Sequence, residues 1–292
     1  MSTTATTNAI SATTVPNSSV DSAAGVRFAY RRLGDPSDGA TPLVLLQHFR
    51  GNLDNWDPLV VDSLAVGREV ILFDNAGLGL SGGNTPSTIS EMARDAISFL
   101  DALGLSRVDL LGYSIGGMIA QELTLLRPQQ VRSLVLAATG PRGGGSQMHG
   151  WAFDIATLAN AADNGIEEYL RIFFSPTDLS RQRGMEYYSR LEGRTDDRDL
   201  PVGQQAQTAQ YDAVVEWGIP EPSKLARLAG IRQPALITSG DNDTMIPTEN
   251  AHILGRHLPN ARVRIFDDAG HGFLFQWPVE FARLVRRFLS SL

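Results

Sequence analysis

Gly112-Tyr113-Ser114-Ile115-Gly116-Gly117 indicates the fold of this chain, because of the segments on either side of it. The apolar run 108–111 precedes it directly, and an amphipathic helical pattern follows it over residues 115–127. A G-x-S-x-G sequence between a strand and a helix is typical of a serine on a sharp, strained turn, where larger residues than glycine would collide. We therefore predict that Ser114 is a nucleophile held above the edge of a sheet, beside a helix N-terminus.

A serine hydroxyl becomes a strong nucleophile only when a base takes its proton, and the base needs an acid to orient it. Among the five histidines, His271 stands between two glycines just after the apolar run 263–266. The acid is predicted in the polar segment after the run 235–238, where Asp241 and Asp243 are both candidates. The resulting chain order of serine, aspartate and histidine is the order that a strand–turn–helix serine hydrolase uses.

The other histidines are predicted to have roles other than that of the catalytic base. His48 ends a strand and belongs to a different feature, and His149 lies in a helical region. His252 and His257 are five residues apart on a polar helix, so they do not share a helix face for one metal ion. A structural role at the surface is expected for this last pair.

Short apolar runs alternate with helical patterns along the chain, which is typical of an α/β fold with a mostly parallel sheet. Runs that are apolar on both faces suit strands covered by helices on each side. The predicted strands are 26–33, as a polar edge strand, and 43–47, 69–73, 108–111, 134–137, 235–238 and 263–266. The predicted helices include 89–103, with Thr88 and Glu91 as a capping box, 115–127, and one that starts near Pro278.

The domain organisation follows from where this alternation stops. More than eighty residues separate two strand candidates, far more than an ordinary crossover connection. We predict a helical cap insertion at 141–224, rich in aromatic residues, between two parts of one α/β core at 21–140 and 225–292. Residues 1–20 are rich in Thr, Ser, Ala and Asn, and are predicted to be a disordered tail.

Composition narrows the classes of function. The 292-residue chain has no cysteine, which excludes a disulfide framework and a thiolate metal site. Its net charge of −7 and the lack of a basic run argue against nucleic-acid binding. The sequence shows neither a secretory signal nor an apolar stretch long enough for a membrane span, so a cytoplasmic location is expected.

Four segments in order resemble the α/β-hydrolase superfamily, in its compact capped branch, over about residues 26–290. Segment 47–52 (QHFRGN) is similar to the family's His-Gly-x-x-Gly oxyanion loop, and 74–81 (DNAGLGLS) to its Asp-x-Arg-Gly-x-Gly-x-Ser turn. The third segment is the turn around Ser114, and the fourth is the Gly-x-x-Asp-x-x-x-Pro pattern followed by Gly-His-Gly. The resemblance implies that Asp243, rather than Asp241, is the acid.

The resemblance also implies an oxyanion hole, made by the backbone N–H of Ile115 and one N–H from segment 47–52. Phe49 stands where the family usually has glycine, so the second donor is Phe49 or, as the alternative, Arg50. Asn75 and Ala76 also depart from the family pattern, which weakens any transfer of roles to that turn.

The predicted function is a serine-triad hydrolase that acts on an ester, lactone or related carbonyl bond of a small, largely apolar molecule through an acyl-enzyme. The alternatives are a C–C bond hydrolase or a cofactor-free perhydrolase or haloperoxidase with the same triad, and a ligand receptor on the hydrolase scaffold. No cofactor or metal is expected. Nicotinamide or flavin binding in particular is not expected, since the G-x-G-x-x-G at 77–82 does not open a helix directly. The expected partner is a small-molecule substrate, without nucleic acid or membrane, and a homo-oligomer is compatible with the sequence.

Overall fold

An eight-stranded, mostly parallel sheet forms the centre of the computed structural model, which describes residues 11–35, 39–144, 153–160 and 165–292. The spatial order of the strands is β1-β2-β4-β3-β5-β6-β7-β8. β1 and β2 pair antiparallel, β2 pairs antiparallel with β4, and β3 to β8 run parallel to one another. The strands are β1 (Ser18–Asp21), β2 (Arg27–Leu33), β3 (Leu43–Leu46), β4 (Val70–Phe73), β5 (Val108–Tyr113), β6 (Val131–Ala137), β7 (Ala235–Gly240) and β8 (Ala261–Phe266).

Every residue of β3, β4, β5 and β7 is buried, as expected for strands that helices cover on both faces. The predicted α/β class is thereby confirmed. One prediction about position is wrong, because β2 is not an edge strand. β1 pairs with it along the outer side and gives its backbone groups partners, so the edge of the sheet lies one strand further out.

The helices form two layers, in which α1 (Pro58–Leu64) packs with α11 (Pro278–Ser290) and α2 (Ile89–Ala102) packs with α3 (Ile115–Leu126). Thr88 begins α2 as predicted, and its hydroxyl oxygen accepts from the N–H of Glu91. The Glu91 carboxylate accepts from that hydroxyl, rather than reaching the backbone N–H of Thr88 as a full capping box would. The core helices are α1 (Pro58–Leu64), α2 (Ile89–Ala102), α3 (Ile115–Leu126), α9 (Glu249–His257), α10 (Phe273–Gln276) and α11 (Pro278–Ser290).

The segment 11–20 belongs to the folded core, in contrast to the disordered tail predicted for 1–20. The Asp62 carboxylate accepts from the N–H of Ala12 at 2.7 Å, and the Arg194 guanidinium donates to the carbonyl of Val15 at 2.9 Å. Residues 18–20 then enter β1. Composition predicted disorder here because the segment is polar. Its hydrogen-bond partners are charged side chains that lie far along the chain. Residues 1–10 lie outside the described residues.

The connection from β6 to β7 contains the predicted helical insertion (141–224), and its described residues hold helices and no strand. They are α4 (Phe153–Ala159), α5 (Ile166–Phe173), α6 (Asp178–Leu191), α7 (Gln204–Gly218) and α8 (Pro222–Ala226). A short 3-10 helix, Arg227–Gly230, follows before β7. Within the ranges that the structure describes, no helix has both the length and the apolar content to cross a bilayer.

Candidate active site

Ser114 lies at the turn between β5 and α3, with a backbone φ of 57° and ψ of −121°. A positive φ is unfavourable for a residue with a Cβ, so the surrounding structure has to hold this turn. It does so by close packing: a methyl group on Gly116 would lie 2.1 Å from the Leu46 carbonyl oxygen, and one on Gly112 would lie 2.4 Å from the Gly116 carbonyl oxygen. These contacts explain why only glycine fits at the two positions flanking the serine.

The structure brings Ser114, His271 and Asp243 together, although they stand far apart in the chain. The Nε2 atom of His271 is 3.0 Å from the hydroxyl oxygen of Ser114, and its Nδ1 atom is 2.8 Å from a carboxylate oxygen of Asp243. The three side chains are almost completely buried. Because a carboxylate only accepts, Nδ1 carries the proton in the neutral imidazole, and the lone pair of Nε2 is directed at the serine hydroxyl.

Asp243, and not Asp241, contacts the histidine. The second carboxylate oxygen of Asp243 accepts from the backbone N–H groups of Met245 and Ile246, both at 2.9 Å, which fixes the carboxylate plane. Asp241 is exposed, and its carboxylate accepts from the N–H of Ala269, two residues before His271. One aspartate therefore holds the imidazole, and the other holds the loop that carries it.

The loop that carries His271 is also held by the insertion. The N–H of Gly272 donates to the carbonyl of Phe173, at the end of α5, at 2.6 Å. The hydroxyl of Tyr113, the residue before the serine, donates to the carbonyl of His271 at 3.1 Å. Burial raises the pKa of Tyr113 well above its usual range, so this phenol stays protonated and keeps donating. These contacts fix the backbone of the loop independently of the imidazole.

Residues 47–52, called the 47–52 loop below, follow β3 and face the serine. The N–H of Gly51 donates to the carbonyl of His48, which closes a turn, and Arg50 at the third position of that turn has a φ of 61°. This is the arrangement of a type II turn, in which the third residue is usually glycine. The left-handed backbone of Arg50 costs on the order of 1–2 kcal/mol, which other contacts have to offset.

Two hydrogen bonds hold the peptide group between Phe49 and Arg50. Its carbonyl accepts from Nδ1 of His48 at 2.8 Å, and its N–H donates to Oε1 of Gln210 at 2.9 Å. Burial lowers the pKa of His48 to about 3, so its imidazole is neutral and donates from Nδ1. Gln210 is a fully buried residue of α7, in the insertion.

This geometry bears on the two oxyanion alternatives. The N–H of Arg50 already has an acceptor in Gln210, which favours Phe49 as the donor from the 47–52 loop. Ile115 is the first residue of α3, so its N–H has no partner within the helix. Phe49 lines the same cavity as Ser114.

That cavity has a volume of about 450 Å³ and lies between the core and the insertion. The core contributes the serine, both site histidines, Phe49, Arg50, Asn55 and Met245. The insertion contributes apolar and aromatic side chains, of which the largest are Tyr169, Phe173 and Tyr188. Glu192 and Arg198, which are exposed, stand among the lining residues as well.

The other predicted residues lie away from this cavity or outside the described residues. His252 and His257 are exposed on α9, and His149 is not among the described residues. Asn75 and Ala76 are buried beyond β4 and do not line the cavity. The sequence interpretation missed Gln210, because a glutamine on a polar helix carries no signal of a partner 160 residues away.

Comparison with known proteins gives a family and several relatives. The family model described as the alpha/beta hydrolase fold matches residues 41–278. "Putative carbamate hydrolase RutD" of Azorhizobium caulinodans is 30% identical over 255 residues, which cover 86% of this chain and 92% of the relative.

Two solved structures show the same arrangement of the chain. An alpha/beta hydrolase fold protein from Chitinophaga pinensis has a TM-score of 0.90 and 37% identity, with 97% of this chain and 100% of that chain covered. Est816, an N-acyl homoserine lactone degrading enzyme, has a TM-score of 0.71 and 28% identity, with 93% and 100% covered.

Proposed function

The chain belongs to the α/β-hydrolase fold family, and we propose that it is a serine hydrolase that cleaves an ester, lactone or related carbonyl bond through an acyl-enzyme. The observation that carries the proposal is the continuous set of hydrogen bonds from Asp243 through His271 to Ser114. A buried acid, a base and a hydroxyl in this order form the arrangement that activates a serine for acyl transfer.

In the first half-reaction, Nε2 of His271 takes the hydroxyl proton while the oxygen of Ser114 attacks the carbonyl carbon of the substrate. Asp243 stabilises the imidazolium that forms and remains ionised itself. The negative charge on the former carbonyl oxygen is stabilised by the N–H groups of Ile115 and Phe49. Collapse of the tetrahedral intermediate breaks the bond to the leaving group, which receives the proton from His271 and departs.

In the second half-reaction, a water molecule takes the place of the leaving group. Nε2 of His271 removes a proton from the water, whose oxygen attacks the acyl carbon. The same two N–H groups stabilise the second tetrahedral intermediate. The imidazolium then returns the proton to the oxygen of Ser114, which releases a carboxylic acid and restores the free enzyme.

The cavity supports a small, largely apolar substrate. Its volume of about 450 Å³ lies in the range of small-molecule sites, and aromatic rings of the insertion form one side of it. Phe173 also packs against both site histidines, with ring centroids 5.3 Å from His48 and 5.7 Å from His271. We therefore expect an apolar group of the substrate to lie beside Phe173, Tyr169 and Tyr188. Among the relatives, one is named for a carbamate and one for an N-acyl homoserine lactone, so both bond types belong to the first substrate panel.

The test is a substrate panel with purified wild-type protein and Ser114→Ala. The panel contains p-nitrophenyl butyrate, an N-acyl homoserine lactone, a carbamate, a vinylogous diketone, and acetate with hydrogen peroxide and bromide. We expect hydrolysis of at least one ester, lactone or carbamate, with a loss of about 10⁴-fold or more in kcat for the variant. Full activity of Ser114→Ala on a confirmed substrate would overturn the proposal. Turnover of the diketone alone, or a product that requires peroxide, would replace it with C–C hydrolysis or perhydrolysis.

A further inference from the structure

We propose that Gln210, a buried residue of the insertion, is a positioning residue that sets the orientation of the 47–52 loop during hydrolysis. The inference rests on the proposed function, because it concerns the peptide group that follows the proposed oxyanion donor of that loop. It adds a role for the insertion beyond that of forming one side of the cavity. Gln210 itself is not among the residues that line the cavity around Ser114.

The contact is specific in its geometry. The N–H of Arg50 donates to Oε1 of Gln210 at 2.9 Å, and on the other side of the same peptide group Nδ1 of His48 donates to the carbonyl of Phe49 at 2.8 Å. One partner comes from the core and the other from α7 of the insertion. The peptide group is thus held at its donor and at its acceptor, which fixes the direction of both.

The peptide needs this support because of its conformation. The two common forms of a four-residue turn differ by a rotation of the central peptide group, which changes the φ of the third residue from positive to negative. That third residue is Arg50, whose φ of 61° is unfavourable for a residue with a side chain. Without an acceptor at Gln210, the N–H of Arg50 loses its partner, and the rotated form becomes the less strained one.

Rotation would affect the reaction more than the binding of substrate. In the observed form, the carbonyl of Phe49 points to His48 and the N–H of Arg50 points to Gln210. The N–H of Phe49, the proposed oxyanion donor, belongs to the peptide group directly before this one. A rotated peptide reverses both dipoles beside Ser114. Donors matter most where charge develops in the transition state, so the loss appears in kcat.

The amide nitrogen of Gln210 allows a variant that changes only one contact. Its Nε2 atom is buried and has no hydrogen-bond partner among the described residues. Gln210→Glu therefore keeps an oxygen for the N–H of Arg50 and loses no existing hydrogen bond. Gln210→Leu keeps a similar volume and removes the acceptor. Gln207 lies three residues earlier on α7, is also buried, and donates instead to the carbonyl and side-chain oxygens of Asn160, so Gln207→Leu is a matched control.

The experiment measures kcat and KM on the best ester of the panel, together with the rate of labelling by a fluorophosphonate, for wild type and the three variants. We expect Gln210→Leu to lower kcat and the labelling rate about 10- to 100-fold, with KM within about twofold of wild type. Gln210→Glu should recover kcat to within about threefold, and Gln207→Leu should stay within about twofold. Circular dichroism and thermal melting establish that each variant is folded.

Each other result overturns the inference in a distinguishable way. Equal losses in Gln207→Leu and Gln210→Leu would mean a general effect on α7, and a raised KM with unchanged kcat would mean a contact that shapes the cavity. Failure of Gln210→Glu to recover kcat while it is folded would exclude the acceptor role. A wild-type protein that neither turns over the panel nor takes the label at Ser114 would instead remove the proposed function, and this inference with it.

Discussion

The turn at Ser114 and the 47–52 loop face each other across the site, yet they are held by different parts of the molecule. The serine turn is fixed by its own strand and helix and by backbone atoms of β3, at distances that exclude any side chain at Gly116. The 47–52 loop and the residues just after it depend on the insertion. Gln210 accepts from Arg50, Asp199 from Leu53, and the carbonyl of Leu200 from Asn52.

The nucleophile and the loop opposite therefore have different structural supports. The nucleophile has to stay in one strained conformation, so a rigid sheet and helix support it. The loop opposite lines the cavity between the core and the insertion, and three contacts of the loop and the residue after it come from that same insertion. A change in the insertion can therefore reach the chemistry through the loop, while it leaves the nucleophile in place.

The largest effect is expected on the core side, at the acid. Asp243→Asn keeps the shape of the side chain but removes the charge that stabilises the imidazolium, and its amide favours the wrong tautomer of His271. We expect kcat to fall by about 10⁴-fold. Asp241→Asn is the matched control, because an amide oxygen can still accept from the N–H of Ala269. It should change kcat by less than about tenfold.

Steady-state kinetics on one substrate compare the two variants. Equal losses for Asp241→Asn and Asp243→Asn would mean that loop position, rather than the charge on the acid, limits the reaction. A larger loss for Asp241→Asn would contradict the assignment of the triad.

The next effect concerns the packing of the serine turn. Gly116→Ala would place a methyl group 2.1 Å from the carbonyl oxygen of Leu46, which is backbone and cannot rotate away. We expect the free energy of unfolding to fall by about 2–3 kcal/mol, as overpacking of a close contact does. Gly82→Ala is the control, since its methyl group would lie 3.7 Å from the nearest atom. It should change stability by less than about 0.5 kcal/mol.

Urea denaturation followed by fluorescence measures both changes. A Gly116→Ala protein as stable as wild type would show that β3 can move away from the serine turn. The serine turn would then be no more rigid than the 47–52 loop.

The smallest effect concerns how the insertion is attached. The carboxylates of Asp74, after β4, and Asp199, in the insertion, both accept from the N–H of Leu53. Burial, and then the charge of Asp199, raise the pKa of Asp74 well above 3.8. The native protein thus retains a proton that the unfolded chain releases, so its stability falls as the pH rises above about 3.8.

Asp199→Asn should reduce this fall of stability with pH. The substitution removes the charge of Asp199, and the new amide can donate to the carboxylate of Asp74. We expect the difference in urea midpoint between pH 5 and pH 8 to shrink relative to wild type. Asp212→Asn, at an exposed position of α7, should leave that difference unchanged. An unchanged difference in Asp199→Asn would show that the pair does not govern the attachment.

The sequence predicted best those parts of the molecule whose conformation is determined by residues nearby in the chain. The strand before Ser114, the helix after it and the glycines beside it are all within a few residues, and the structure has them in place. The neighbourhood of His271 and Asp243 followed from the ends of two predicted parallel strands. The choice between the two aspartates needed the family resemblance, since both follow the same strand.

The parts that sequence could not predict have partners far along the chain. Segment 11–20 appeared disordered by composition, but it is held by Asp62 and Arg194. The position of β2 inside the sheet depends on β1, a four-residue strand with no apolar pattern. The orientation of the 47–52 loop depends on Gln210, and nothing in the sequence of either segment indicates that they meet.

Intact-mass spectrometry after treatment with a fluorophosphonate probe shows whether Ser114 is an activated nucleophile, when wild type is compared with Ser114→Ala. We expect one covalent adduct on the folded wild-type protein and none on the variant, because only a serine activated by His271 attacks the probe. Folded wild type that takes no adduct would contradict the assembled triad and favour a receptor on this scaffold. An adduct that persists in Ser114→Ala would place the reactive group elsewhere.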